Sequence, residues 1–235
     1  MKTAKKAVSI GAREPLTSEL QGFVRPSGLP FGPKLLVHHP LCVDFVGDLS
    51  DCRGINRRFH AITEAVAEAK ANEDWCGYIF LHERAYRLEA FKKVASLMTD
   101  AEYWACLAKT YTDLEGLHSV KRSILKLLRS QRPCRDRLMD DAERAALAQL
   151  PDVVTIYRGY DHRNGAKGIS WTLSKDKADW FANRWGGRGA VVATGQVNKA
   201  DILAHFIGRQ EAEVVVDPRH ITVLKEAKVA SSRER

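Results

Sequence analysis

The chain changes texture at Pro151, and that change limits its folds more than any other feature. Before it, from about Asn56 to Gln149, apolar residues recur at helical steps. In NRRFHAITEAVAEAKA, Phe59, Ile62, Val66 and Ala69 fall three and four residues apart. Two capping boxes mark helix starts, Thr99 with Glu102 and Asp140 with Glu143. In each, a side-chain oxygen and a glutamate three residues on can satisfy free N–H groups. After Pro151 the runs are short, β-branched and separated by Gly, Asn, Asp and Pro: VVTIYR, GISWTL, GAVVATGQV, EVVV and HITVLK. One helix interrupts them, SKDKADWFANRW, with Ser174 as its expected N-cap. The expected fold class is therefore α+β, a helical N-terminal half packed on a mostly antiparallel β-sheet core. Residues 1–33 read as a loosely ordered basic arm, 34–150 as a mainly helical region, 151–226 as the sheet core and 227–235 as a frayed tail.

Lysine and arginine number 37 against 29 aspartates and glutamates, a formal net charge of +8 over 235 residues. Such a balance favours an anionic partner, such as a nucleic acid, a nucleotide or an acidic surface. Five cysteines, an odd number with none in a C-x-x-C pair, argue against a disulfide framework or a structural zinc site, and reduced thiols in a cytoplasm are expected. His38-His39 and FLHERAYR lack the H-E-x-x-H spacing, so no metal is expected. The basic opening MKTAKKAVSIGAREP has too short an apolar run for a secretory signal, and LLVHHPLCVDFVG is broken by two histidines and an aspartate. A soluble cytoplasmic protein with no membrane partner is expected.

Three short stretches could carry chemistry. Arg158 ends the apolar run VVTIY and is followed by Gly159. A buried guanidinium needs partners for five donors, and a glycine lets a ligand approach the backbone. Together they suit an anionic ligand such as a diphosphate, although an edge arginine paired with a surface carboxylate is the plainer account of these residues alone. Ser170 and Thr172 of SWT fall on one face of a strand because the side-chain period is two. They could orient a catalytic group or simply form an exposed hydroxyl face. Glu211 and Glu213, also two apart, open the run Val214 to Val216. Two carboxylates on one strand face suit a reaction through an oxocarbenium ion, or serve as a charged edge that blocks aggregation.

In this order the stretches resemble the ADP-ribosyltransferase superfamily, in its Arg–Ser–Glu branch. Tyr157-Arg158-Gly159 is similar to the first motif, Ser170 to Ser174 to the Ser-Thr-Ser strand, and Glu211 to Glu213 to the E-x-E motif, with ILAHFIGRQ similar to the substrate-recognition loop before it. The resemblance spans about Val153 to Lys225 and departs from the pattern at Trp171, which stands in place of threonine and is expected in the core. It implies an NAD-dependent mono-ADP-ribosyltransferase with NAD as co-substrate, acting as a cytoplasmic toxin or effector that an antitoxin or immunity partner could hold inactive. Arg158 is implied to contact the phosphate and ribose of NAD, and Gly159 to receive the nicotinamide carboxamide. Ser170 is implied to hydrogen-bond the catalytic Glu213, and Thr172 to line the NAD site. Phe181 is the candidate to stack on nicotinamide; Trp180, the reserve, is expected in the core. Glu211, with Phe206 and Arg209, is implied to act on the acceptor, a protein arginine or a nucleic acid. An NAD glycohydrolase and a non-enzymatic nucleic-acid-binding protein with a degenerate site remain the alternatives. The basic stretch from Lys121 to Arg137 reads equally as a solvated helix face and as a phosphate-tracking surface.

Overall fold

A computed structural model describes residues 13–161, 165–184, 189–208 and 210–229. The chain divides into two compact units, one ending at Ser96 and the other beginning at Leu97. The sheet core therefore shares its unit with the helices that follow Leu97.

The first unit opens with helix α1 (Ser18–Gln21) and the strands β1 (Val24–Pro26), β2 (Leu35–His39) and β3 (Cys42–Val46). These form an antiparallel sheet in the order β1-β2-β3. Helices α2 (Arg53–Ala71), α3 (Trp75–Phe80) and α4 (Arg87–Val94) complete it. The expected stripe on α2 is its covered face, with Phe59 and Ala69 buried. The loosely ordered arm is corrected over its described part. Leu16 and Leu20 are buried in one core with Val37, Val46 and Phe59. The buried Asn56 amide holds the entry, accepting from the Thr17 N–H and donating to the Pro15 carbonyl and to Glu14. Leu16 and Leu20, four residues apart, are enough to dock a segment whose Gly and Pro content hides its period.

In the second unit, α5 (Asp100–Asp113), α6 (Leu117–Leu128) and α7 (Asp141–Ala148) precede the sheet. Both expected capping boxes are formed, at Thr99 and at Asp140. The sheet comprises β4 (Val153–Tyr160) and β5 (Ser170–Thr172), followed after helix α8 (Lys175–Asn183) by β6 (Val191–Asn198), β7 (Ile202–Phe206), β8 (Glu213–Val216) and β9 (Thr222–Lys228). The order is β7-β8-β5-β4-β6-β9, antiparallel throughout. The fold is α+β, and Trp171 lies in the sheet core as expected, beside Ile156 and Val214. Ala227 and Lys228, assigned to the frayed tail, pair with β6.

Two features of this sheet shape the site. First, β4 pairs with β6 along all eight residues but, among the described residues, with β5 only at Tyr157 and Thr172. Second, α8 lies directly on β4. A Cβ at Gly159 would stand 1.8 Å from the Ala178 carbonyl oxygen, so only glycine fits. Ala178 and Ala182 on the helix, with Val192 on β6, fill the rest of this contact.

Of the basic stretch, Arg129 pairs with Asp217, Arg132 lies over the Tyr103 ring at 4.7 Å, and Arg135 lies over Trp104 at 4.9 Å. These three are structural. α6 buries Ile124, Leu125 and Leu128 and turns the opposite side to solvent.

Candidate active site

Glu213 begins β8, in register with Thr172 on one side and Phe206 on the other, and is 5% exposed. A carboxylate this deep needs donors. The Tyr111 hydroxyl supplies one, donating to Oε1 at 2.7 Å. Tyr111 comes from α5, is 1% exposed, and stacks on Phe206 with ring centroids 5.4 Å apart. Burial first, then the charge and hydrogen bond of Glu213, push the Tyr111 phenol well above its ordinary range. It therefore donates as a neutral phenol. The Ser170 side chain lies near enough to the Tyr111 phenol to oppose part of that rise. Ser170 and Glu213 thus both lie beside a tyrosine that the sequence motifs did not single out. His205, also overlooked, is buried on β7 and donates from Nδ1 to the Glu213 carbonyl at 3.0 Å, fixing the backbone at the start of β8.

Arg158 donates from Nε to the Gly165 carbonyl and from Nη1 to the Ser170 carbonyl. The second bond occupies a strand carbonyl just where the β4–β5 ladder stops. Gly168 lies against the guanidinium, and a Cβ there would come within 2.1 Å of Cζ. Burial lowers the Arg158 pKa, while the nearby Glu213 carboxylate and the Tyr111 and Tyr160 side chains oppose that shift. The cation therefore sits within electrostatic reach of the carboxylate. Among the described residues Nη2 has no protein acceptor. Nearby on the same strand, Tyr160 donates to Glu226 at 2.7 Å, and burial with that bond raises its pKa.

Thr172 is 4% exposed, and both of its hydroxyl contacts are with backbone. It donates to the Glu211 carbonyl and accepts from the Ser174 N–H at 3.0 Å. Its role in the structure is to hold the E-x-E turn. That turn departs from the strand alternation expected for Glu211 and Glu213. Gln210 and Ala212 have φ of 54° and 44°, in the left-handed region, and β8 starts only at Glu213. The period of two therefore does not reach back to Glu211, because Ala212 is not extended.

The remaining expected residues fall in different surroundings. Phe206 belongs to a strand rather than a loop and gives its buried ring to Tyr111 instead of to solvent. Arg209 lies outside the described residues. Phe181 is half-buried on α8, edge-on to Trp180 at 5.0 Å, with Arg184 over its ring at 5.3 Å. Trp180, expected in the core, is 57% exposed. α8 turns Ala178 and Ala182 toward β4, and a residue two positions from Ala178 points the other way. The glycine at Gly159 is required by this helix contact, whatever its backbone also binds. No protein-family model, curated protein or solved structure matches the chain.

Proposed function

We propose that the chain is an NAD-dependent mono-ADP-ribosyltransferase of the Arg–Ser–Glu type, acting on a macromolecular acceptor. The observation that carries this reading is the buried Glu213 carboxylate, held by Tyr111 and lying in the field of Arg158. A fixed carboxylate in a dry site suits a reaction in which positive charge develops beside it.

In the proposed reaction the bond between the nicotinamide nitrogen and ribose C1′ breaks, and its electron pair leaves with nicotinamide as a neutral base. Glu213 accepts the ribose 2′-hydroxyl and stabilises the oxocarbenium charge that remains on the sugar. An acceptor N–H or O–H group attacks C1′, and its proton passes to Glu211 and then to solvent. NAD⁺ and acceptor–H thus give ADP-ribosyl acceptor, nicotinamide and a proton. Arg158 keeps its charge and presents a planar fork, which suits the diphosphate; its Nη2 is the donor left to make that bond. Ser170 and Thr172 act at one remove, the first through Tyr111 and the second through the Glu211 turn. Phe181 is the ring for nicotinamide, and the Gly159 backbone for its carboxamide. NAD and both acceptor classes are present in the cytoplasm, which is where we assign its action as a toxin or effector.

Incubation with adenylate-labelled NAD and whole-cell lysate tests the proposal. The wild-type chain releases nicotinamide and labels a macromolecule, and Glu213→Gln does neither. A wild-type chain that releases no nicotinamide overturns the reading. Release without label makes water the acceptor.

A further inference from the structure

One side of α6 carries His118, Arg122 and Lys126 at four-residue steps, all exposed, beside the face that buries Ile124, Leu125 and Leu128. Four residues advance a helix by about 6 Å, so the three side chains form a line along the helix. The helix contains no aspartate or glutamate. Some other surface cations of the unit pair with carboxylates, as Lys175 does with Asp179 and Lys199 with Asp152. Among the described residues Arg122 and Lys126 have no such partner.

The position of this helix matters more than its charge. Lys121 Nζ donates to the Lys167 carbonyl at 3.1 Å, tying α6 to the β4–β5 connection. Gly165 and Gly168 of that same connection enclose the Arg158 guanidinium. On the face of the Arg158 strand lies α8, which meets it at Gly159 and exposes the Trp180 ring. Arg184 lies over that ring at 5.9 Å. A line of unpaired cations and an exposed aromatic face thus belong to the two elements that abut the residues around Arg158.

We infer that the α6 cation line and the Trp180 ring bind single-stranded nucleic acid, and that such a strand is the acceptor of the transferase. The cations suit successive phosphates, and the ring suits an unpaired base. A duplex hides its base faces from such a ring, and an acidic peptide has no base to offer it. Binding stands on these residues alone; only the acceptor role rests on the function proposed above. In that reaction a base nitrogen or a sugar hydroxyl of the strand attacks C1′ and loses its proton.

The experiment uses the full chain, without NAD, and fluorescence anisotropy of labelled single-stranded RNA and DNA oligonucleotides of about 20 nucleotides, read across a salt series. Unlabelled duplex and polyglutamate serve as competitors. The wild-type chain binds the single strands. Arg122→Glu with Lys126→Glu weakens binding and lowers the log–log salt slope by roughly 1.4, at about 0.7 per lost phosphate contact. Trp180→Ala weakens it by about tenfold at constant salt slope. Unfolding midpoints, and the milder Arg122→Gln with Lys126→Gln pair, separate these effects from misfolding. Failure of the wild-type chain to bind, binding that none of these variants weakens, or stronger competition by duplex or polyglutamate than by a single strand each overturns the inference. A chain that binds the strands but releases no nicotinamide fails the transferase reading and keeps the binding site.

Discussion

Tyr111 and Glu213 lie 102 residues apart in the chain and 2.7 Å apart in space, hydroxyl to carboxylate, with both side chains buried. Through that one bond α5 becomes part of the site that the sheet carries.

Tyr111→Phe keeps the ring stacked on Phe206 and removes only the hydroxyl. It leaves a buried carboxylate short of a donor, which costs about 1–3 kcal/mol. We expect the unfolding midpoint to fall by several degrees and nicotinamide release to fall at least tenfold. An unchanged midpoint in a thermal scan shows that the hydroxyl contributes nothing to the fold.

Tyr111 also sets an alkaline limit. Its folded pKa lies above the unfolded value, so the folded state holds the phenolic proton more tightly. The resulting stability is complete below the unfolded tyrosine pKa of about 10 and is lost as pH rises toward the folded value. Denaturant titrations at increasing alkaline pH should show wild-type stability declining more steeply than that of Tyr111→Phe. Parallel declines remove Tyr111 as the cause.

Glu213 and Glu211 should fail in different ways. Glu213→Gln keeps the shape and removes the charge, and nicotinamide release should drop on the order of a hundred- to a thousandfold. Glu211 sits before the strand, in a turn held by Thr172. Glu211→Gln should therefore spare NAD cleavage to water and reduce transfer to the macromolecule. Paired assays of nicotinamide release and labelled acceptor decide this, and equal loss of both activities in Glu211→Gln refutes the division.

Two glycine substitutions separate packing from binding. Gly159→Ala drives a methyl into the α8 backbone, 1.8 Å from the Ala178 oxygen and 2.6 Å from the Ala182 nitrogen. Neither atom can move alone, and we expect at least 1–3 kcal/mol of destabilisation. Gly168→Ala meets the far end of a flexible side chain, the Arg158 guanidinium. It should destabilise less than Gly159→Ala, by no more than the bonds the guanidinium makes to the Gly165 and Ser170 carbonyls, and weaken NAD binding. Urea unfolding and calorimetric titration with NAD give the two readings, and the reverse pattern contradicts both assignments.

The local parts of this structure were legible in the sequence. Both capping boxes depend on residues three apart, and both form. Trp171 alternates into the core because Ser170, Trp171 and Thr172 are extended. Alternation failed at Glu211 because left-handed backbone at Ala212 cannot be read from an alanine, which rarely adopts it. It failed at Trp180 because a large aromatic ring on a helix looks like core, while small alanines made the contact. Tyr111 was invisible for a different reason. It shares a helix face with Tyr103, Leu107 and Thr110, all buried, and its spacing is that of a packing residue. Only the tertiary fold brings a carboxylate to its hydroxyl.

The single pairing between β4 and β5 has a mechanical consequence. It leaves the sheet as two leaves joined along a narrow seam, with β7, β8 and β5 on one side and β4, β6 and β9 on the other. The acid rides on the first leaf and the cation on the second. Among the described residues, the Arg158 side chain also spans the seam, bonded to the Ser170 carbonyl, and Trp171 packs across it beside Ile156. A molecule that drew the guanidinium toward itself would therefore pull on a bond between the leaves, at the strand next to the acid.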